Sequence, residues 1–206
     1  ADKIIEIAKK SGADAIHPGY GFLSERAYFS QLCADNGVKF IGPSADAIKA
    51  LGDKTMAKTL AIKNNVPTVP GTEEPITDIN EAKKIADGIW YPVLIKASAG
   101  GGGKGMRIVR EEKDFESALR MSQNEARASF GDESVFIEKY VVAGRHIEFQ
   151  IMADEHGNVI HLGERECSMQ RRHQKIIEET PSVIMDENLR QEMGECAKRL
   201  AKAARY

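Results

Sequence analysis

Glycines and lysines are concentrated between two short apolar runs in the middle of the chain, at residues 93–98 and 106–110. Glycine lacks a Cβ atom, so the glycines at 100–103 and 105 let the backbone approach a polyanion and turn successive amides toward it. Lys96 adds a positive charge where the first run ends. The pattern predicts a flap that closes over nucleotide phosphates. A flexible hairpin is the alternative, but two residues normally close such a turn at a lower entropic cost.

The usual phosphate-binding fingerprints do not fit this segment. The P-loop requires Gly-x-x-x-x-Gly-Lys-Ser/Thr at the start of a helix, whereas residues 106–109 continue as a predicted strand. The dinucleotide-binding pattern also requires a helix after its glycines. A glycine loop between two strands instead indicates a flap over phosphates, as in protein kinases and ATP-grasp enzymes.

Three further segments carry side chains suited to ligand binding. Residues 17–25, His-Pro-Gly-Tyr-Gly-Phe-Leu-Ser-Glu, lie between a predicted strand and a helix, where α/β sheets place binding loops. Lys54 stands at a helix start, where the dipole disfavours a cation unless an anion is near. Residues 164–179 pack many charged groups without helical periodicity until late, which favours a site over a solvated helix face. Residues 17–25 could alternatively be a plain strand-to-helix turn with a helix cap, and Lys54 could be a solvated surface lysine.

Composition excludes several classes of protein. The 206 residues are 42% hydrophobic and carry a formal charge of −2, so a core can form and no basic field recruits nucleic acid. No apolar run approaches the ~20 residues of a membrane span. Cys33, Cys167 and Cys196 lack the spacing of zinc or redox motifs, so we expect reduced structural thiols. We therefore expect a protein of the cytoplasm, or of the mitochondrial matrix in a eukaryote.

Hydrophobic periodicity predicts an α/β pattern up to about residue 43, which implies a parallel sheet. We expect helices at 3–10, 24–36, 44–52 and 53–64, and strands at 13–17 and 38–41. A small α+β module follows the proline-rich connector 66–71, with helices at 78–88 and 112–130 and strands at 93–98, 106–110 and 135–139. Strict alternation at Ile147, Phe149 and Ile151 then predicts an antiparallel sheet, with a turn at 155–158, a strand at 159–162 and a last helix from Asp186.

The predicted fold class is thus α/β and α+β, in four segments. Residues 1–43 form a partial α/β domain with Rossmann-like alternation, 44–67 a helical linker, 68–140 a lid, and 141–206 the start of an antiparallel-sheet domain. The sequence begins on a helix and ends inside a helical pattern, so we expect it to be a piece of a longer chain.

Several motifs together resemble one known family. Residues 17–25, Gly52-Asp-Lys54, Lys96-Ala-Ser with the glycine flap, Glu138-Lys-Tyr140 and Arg145-His146 look like biotin carboxylase, and Ser168-Met-Gln-Arg-Arg-His-Gln-Lys175 is specific to it. Biotin carboxylase is the ATP-grasp component of acetyl-CoA, propionyl-CoA and pyruvate carboxylases. Ala99 departs from the pattern where a fifth glycine is common. The resemblance implies an ATP-grasp fold and carboxylation of biotin by bicarbonate and ATP, through carboxyphosphate.

The resemblance also implies roles for individual residues. Lys54 and Lys96 would neutralise ATP phosphates, Gly102 and Gly103 would cover them, and Met106 would pack near the adenine. The hinge residues Glu138, Lys139, Tyr140 and Val141 would contact the adenine edge, His146, Gln170 and His173 would hold ribose or phosphate, and Lys175 would contact bicarbonate as the catalytic residue of this chain.

Other parts of the activity are expected beyond Tyr206. The resemblance places the Mg²⁺ ligands and most of the bicarbonate pocket there, and we assign no metal ligand in this chain. Implied partners are ATP, bicarbonate, a biotin carboxyl carrier protein or domain, a carboxyltransferase and further copies of the same chain. Two alternatives stay open: an ATP-grasp ligase acting on a carboxylate and an amine, and a nucleotide-binding module without catalysis.

Overall fold

The computed structural model describes residues 1–99, 105–171 and 174–206. The first part alternates helix and strand, and its two strands pair in parallel, which confirms the α/β prediction. Both strands are only two residues long, and Phe29 packs edge-to-face on Phe40 with ring centroids 5.9 Å apart. The elements are α1 (Asp2–Ser11), β1 (Ala15–Ile16), a 3₁₀ turn (Phe22–Glu25), α2 (Ala27–Asp35) and β2 (Lys39–Phe40).

The helix expected at residues 24–36 is interrupted. The chain forms a 3₁₀ turn and then becomes extended at Arg26, with φ −105° and ψ 108°, before α2 begins. Ser24 does not cap α2; its hydroxyl donates to the carbonyl of Gly21 at 2.7 Å. Periodicity alone did not reveal this break because apolar side chains continue at helical spacing across it.

Two capped helices follow, α3 (Ala45–Gly52) and α4 (Lys54–Lys63). The Ser44 hydroxyl accepts a hydrogen bond from the Ala47 amide at 3.2 Å, and the Asp53 carboxylate accepts one from the Met56 amide at 2.8 Å. Side-chain oxygens at the N-cap satisfy amides that have no partner within the helix. Both starts agree with the sequence prediction.

The second sheet has the antiparallel order β4-β3-β5, with α5 and α6 covering one face. Its core is built from alternate strand residues and from helix residues such as Ala86 and Leu119. The Asp78 carboxylate accepts from the Glu81 amide at 2.8 Å and caps α5, as predicted. The elements are α5 (Ile79–Ile89), β3 (Val93–Ala97), β4 (Met106–Val109), a 3₁₀ turn (Glu112–Asp114), α6 (Phe115–Phe130) and β5 (Val135–Lys139).

The third sheet has the order β6-β7-β8, with β6 at Ile147–Ala153, β7 at Val159–Arg171 and β8 at Gln174–Glu179. The strand expected at 159–162 is much longer, and within the charged segment residues 164–171 and 174–179 belong to antiparallel strands. Gly163 has φ +92°, and the β7–β8 register shifts between Glu166 and Gln170. Helix α7 (Glu187–Ala203) begins after its N-cap Asp186, as predicted.

The described residues form two compact units, and strand β7 contributes to both. The first comprises residues 1–67, 148–165 and 180–206, and the second comprises 68–147 and 166–179. The four-part division inferred from the sequence stays a prediction. Among the helices that the structure describes, none has both the length and the apolar character needed to cross a bilayer.

Candidate functional site

One face of the β4-β3-β5 sheet is open and carries three of the predicted ATP-binding residues. Val93, Ile95 and Ala97 point into the core, so the alternate residues of β3 lie on the opposite face. The register places Lys96 opposite Met106, and Leu94 opposite Glu138. Opposed residues share a face, so the sheet brings Lys96, Met106 and Glu138 together, as the sequence analysis expected.

Lys96 and Glu138 form an ion pair across this face. The two residues are diagonal neighbours on β3 and β5, and the Lys96 Nζ atom donates to Glu138 Oε2. Their side chains are 33% and 23% exposed. Met106, on the edge strand, is exposed beside them. An apolar surface with a cation and a carboxylate at its centre can hold a flat, polar ring and an anionic group.

The hinge after β5 is fixed by its main chain. The Lys139 amide donates to the Pro70 carbonyl at 2.8 Å, and the Tyr140 amide donates to the Pro92 carbonyl at 3.0 Å. The Lys139 ammonium donates to the carbonyls of Trp90 at 2.8 Å and Tyr91 at 3.1 Å. The Lys139 side chain is therefore held against the residues that precede β3. Val141 follows, 57% exposed.

Gly71 allows the connector to run directly against the hinge strand. A Cβ atom at this position would lie 2.2 Å from the carbonyl oxygen of Ile137 and 2.8 Å from the Cα of Glu138. Thr72 continues the contact: its amide donates to the Ile137 carbonyl at 2.8 Å, and its hydroxyl accepts from the Ile137 amide at 3.1 Å. Glycine is thus required where two backbones meet.

Gly71→Ala is expected to lower the free energy of unfolding by about 2 kcal/mol, because both clashing atoms belong to the backbone and cannot rotate away. Urea unfolding measures the change. Gly88→Ala is the matched control: a Cβ at this position of α5 meets nothing within 4 Å, so this variant should be unchanged or slightly more stable. Equal stability of the two variants would contradict the prediction.

A second group of polar side chains surrounds residue 146, in the same compact unit. The imidazole Nδ1 of His146 lies 2.9 Å from Gln170 Nε2, and the His146 amide donates to the Ser168 hydroxyl at 2.9 Å. These residues line an open pocket of about 460 Å³ together with Gly144, Arg145 and Ile147. The structure therefore brings together His146 and Gln170, which the sequence assigned to ribose or phosphate.

A buried carboxylate, Glu166, contacts two of the residues that line this pocket. Glu166 is 4% exposed, and its Oε1 atom accepts from Arg145 Nη1 at 2.8 Å and from the Ser168 hydroxyl at 3.0 Å. Ser168 in turn accepts from the His146 amide, so one chain of hydrogen bonds joins Arg145, Glu166, Ser168 and His146. The sequence analysis noted Arg145 within a motif but gave Glu166 and Ser168 no role.

Lys175 lies on β8 opposite Gln170 of β7. Its ammonium is 3.9 Å from Glu178 Oε1, and its side chain is 28% exposed. The two residues are three apart on β8, and the contact is a partly exposed ion pair. The register also places Lys175 next to Gln170, and therefore near the His146–Gln170 pair.

Four predicted site residues remain: Lys54, Gly102, Gly103 and His173. Lys54 is the first residue of α4, is exposed, and belongs to the first unit. Gly102, Gly103 and His173 lie outside the described residues, as does most of the glycine flap. Their predicted roles stay predictions.

The sequence analysis missed a buried ion pair in the first unit. Glu164, 3% exposed, accepts from Arg190 Nε and Nη2, both at 2.9 Å, and from the Ser182 amide at 3.1 Å. The Arg190 guanidinium is the main reason that the pKa of Glu164 is lowered to about 2. The pair joins β7 to α7. Its two members are separated by 26 residues, so no local pattern could reveal it.

Comparison with known proteins identifies the family. Residues 53–206 match the family model described as carbamoyl-phosphate synthase L chain, ATP binding domain, and residues 1–48 match biotin carboxylase, N-terminal domain. The chain belongs to the biotin carboxylase family. The resemblance inferred from the motifs is thereby confirmed, and so is the predicted ATP-grasp fold class.

Individual biotin carboxylases show the extent of the match. The chain is 52% identical over 203 residues to biotin carboxylase of a Nostoc species, with 98% of the chain matching 45% of that protein. It is 49% identical, with a TM-score of 0.81, to biotin carboxylase of Campylobacter jejuni in a β,γ-ATP complex, all of the chain matching 46% of that structure. The chain is 46% identical, with a TM-score of 0.79, to the biotin carboxylase domain of Hydrogenobacter thermophilus 2-oxoglutarate carboxylase. That structure is a domain dimer with MgADP, ADP and bicarbonate, and all of the chain matches 45% of it.

Proposed function

We propose that this chain binds ATP for the carboxylation of biotin, the first half-reaction of a biotin-dependent carboxylase. Bicarbonate attacks the γ-phosphate of ATP and displaces ADP to give carboxyphosphate, which breaks down to CO2 and phosphate. The CO2 then carboxylates the ureido nitrogen of carrier-bound biotin, which loses its proton. The chain spans less than half of the length of the relatives it matches, so the activity is proposed for the whole protein.

The open face of the β4-β3-β5 sheet is the observation that carries this proposal. Met106 offers an apolar contact for the adenine, and Glu138 offers a carboxylate to its amino group. Lys96 would supply positive charge for the phosphates together with Lys54, and the flap residues Gly102 and Gly103 would cover the phosphates with backbone amides. The hinge residues Lys139, Tyr140 and Val141 would meet the adenine edge through main-chain groups other than the Lys139 and Tyr140 amides, which already donate to Pro70 and Pro92. The Lys139 side chain is likewise occupied elsewhere.

The polar pocket supports the second part of the proposal. His146, Gln170 and His173 would hold ribose or phosphate oxygens, and Lys175 would hold bicarbonate as a compact point charge suited to a small anion. Neutralising charge near the transferring phosphoryl group is the main catalytic contribution in this chemistry. Gln170 and Lys175 are opposed in register, which supports placing bicarbonate next to the part of the nucleotide that His146 and Gln170 would hold.

The wider assembly follows from the same proposal. Mg²⁺ would neutralise charge on the ATP phosphates, and its protein ligands are expected outside this chain. A biotin carrier would deliver the acceptor, and a carboxyltransferase would choose the final substrate. Oligomerisation is supported by the Hydrogenobacter domain dimer, and either the cytoplasm or the mitochondrial matrix fits, since some relatives are named mitochondrial.

Lys96→Ala in the full-length protein is expected to weaken ATP binding by about 10- to 100-fold, the contribution of one charge-assisted contact, and to lower turnover together with it. Calorimetric ATP titration and an ATPase assay measure both effects. Lys83→Ala is the matched control, because Lys83 is an exposed lysine of the same unit, paired with Glu112 at 3.0 Å. Unchanged ATP affinity in Lys96→Ala would contradict the proposal.

The same assay separates the two alternative functions. A carboxylate–amine ligase of this fold would cleave ATP without requiring bicarbonate, and a purely binding module would bind ATP without cleaving it. ATP cleavage by the full-length protein that depends on both bicarbonate and biotin supports the proposed function.

A further inference from the structure

Gln170 holds the His146 imidazole and the main chain of β7 with one nitrogen atom. Its Nε2 lies 2.9 Å from His146 Nδ1 and 2.8 Å from the carbonyl oxygen of Cys167. A side-chain amide nitrogen carries two hydrogens, so it can donate one to each of two acceptors. The bond to Cys167 is partly buried, whereas the bond to His146 is exposed.

The Cys167 carbonyl fixes which end of the amide faces the histidine. A carbonyl oxygen only accepts hydrogen bonds, so the reversed amide would press Gln170 Oε1 against another acceptor and lose a bond. The amide nitrogen must therefore face Cys167, and the same nitrogen faces His146. Because that nitrogen is a donor, His146 Nδ1 must be an acceptor. The proton of the neutral ring then lies on Nε2.

The main chain of His146 is held by the same stretch of β7. Its amide donates to the Ser168 hydroxyl at 2.9 Å, and its carbonyl accepts from the Cys167 amide at 2.8 Å. The Ser168 hydroxyl donates to the buried Glu166 at 3.0 Å, which fixes the direction of its own proton. Residues 166–170 therefore hold both the main chain of His146 and the Nδ1 side of its ring.

We propose that Gln170 is a positioning residue that fixes His146 as the neutral Nε2–H tautomer, so that the ring presents an N–H donor to a nucleotide oxygen. This inference rests on the proposed function, and it adds a positioning role to the nucleotide contact proposed for Gln170. Ribose hydroxyl and phosphate oxygens accept hydrogen bonds, so a ring nitrogen that donates binds them, whereas an unprotonated ring nitrogen facing a phosphate would repel it.

The test is long-range ¹H–¹⁵N NMR of the protein labelled with ¹⁵N-histidine, with the His146 signals identified by their loss in His146→Asn. In the wild type, Nδ1 is expected to show the shift of an unprotonated nitrogen and Nε2 that of a protonated one. Gln170→Met, of similar length but without hydrogen bonds, should give a mixture of tautomers and weaken ATP binding about 3- to 10-fold. Gln170→Glu should place the proton on Nδ1, because a carboxylate only accepts.

Gln150→Glu is the matched control for the added charge. Gln150 is an exposed glutamine whose Oε1 accepts from Arg165 Nη1 at 3.0 Å, and a carboxylate keeps that bond. The control should leave the His146 signals unchanged. A protonated Nδ1 in the wild type, or an unchanged tautomer in Gln170→Met, would overturn the inference. Wild-type protein with the expected tautomer but no ATP binding would uphold the tautomer assignment and overturn the proposed function.

Discussion

Lys175→Ala in the full-length enzyme is expected to lower bicarbonate-dependent ATP cleavage by roughly 10²–10³, the usual loss for one preorganised electrostatic group. The ATP dissociation constant should stay nearly unchanged, because Lys175 is proposed to contact bicarbonate and not the nucleotide. Steady-state kinetics at varied bicarbonate, together with calorimetric titration of ATP, measure the two quantities separately. This division distinguishes Lys175 from Lys96, whose loss should impair binding and turnover together.

Lys198→Ala provides a closely matched control for this experiment. Lys198 is 24% exposed and pairs with Glu195 three residues earlier, at 2.6 Å, whereas Lys175 is 28% exposed and pairs with Glu178 at 3.9 Å. The control should change stability by at most about 0.5 kcal/mol and leave the kinetics intact. If Lys175→Ala behaves like the control and keeps its dependence on bicarbonate, the anion is held by other residues.

Glu164→Gln is expected to lower the free energy of unfolding by about 3 kcal/mol at pH 7, because it leaves Arg190 without its buried partner. Arg190 retains an ion pair with Glu187 at 2.8 Å, which keeps the loss near the lower end of the range for buried pairs. Urea unfolding measures it. Glu116→Gln removes a carboxylate from the exposed pair with Arg120 and should cost at most about 0.5 kcal/mol.

The same ion pair has a defined dependence on pH. The pKa of Glu164 is lowered by Arg190 from 4.5 to about 2, so the folded state holds the carboxylate more strongly in its charged form than the unfolded chain does. Its contribution to stability is complete above about pH 4.5 and is lost as the pH falls toward 2. The difference between wild type and Glu164→Gln should therefore shrink over this interval. A difference that is constant down to about pH 2 would contradict the assignment.

The elements with local signals were predicted well. Ser44, Asp53, Asp78 and Asp186 mark helix starts, because a cap and its amides are three residues apart and visible in sequence. The open sheet face was also predictable in outline, since strand alternation fixes which residues share a face.

Segment 164–179 shows where local patterns fail. Its charges looked like a concentrated site, but several are satisfied by distant partners, such as Arg165 with Glu148 at 2.7 Å and Glu164 with Arg190 at 2.9 Å. Such pairs form only after β7 has aligned with its neighbours, and Gly163 breaks the alternation that would have extended the predicted strand. Gln170, His173 and Lys175 were assigned here beforehand, through a family motif rather than a physical pattern, and His173 lies outside the described residues.

The ion pair between Lys96 and Glu138 makes the open sheet face nearly neutral before any ligand arrives. Under the proposed function, an incoming nucleotide therefore exchanges one counterion for another and gains only the difference between two attractions. An uncharged nucleoside has no anionic group to replace the Glu138 carboxylate on Lys96. A triphosphate attracts Lys96 more strongly than a single carboxylate does, so Glu138 would become available to accept a hydrogen bond from the base. Under the proposed function, a ligand must therefore carry enough negative charge to displace Glu138 from Lys96. The ion pair would favour highly charged nucleotides over weakly charged ones, independently of the flap.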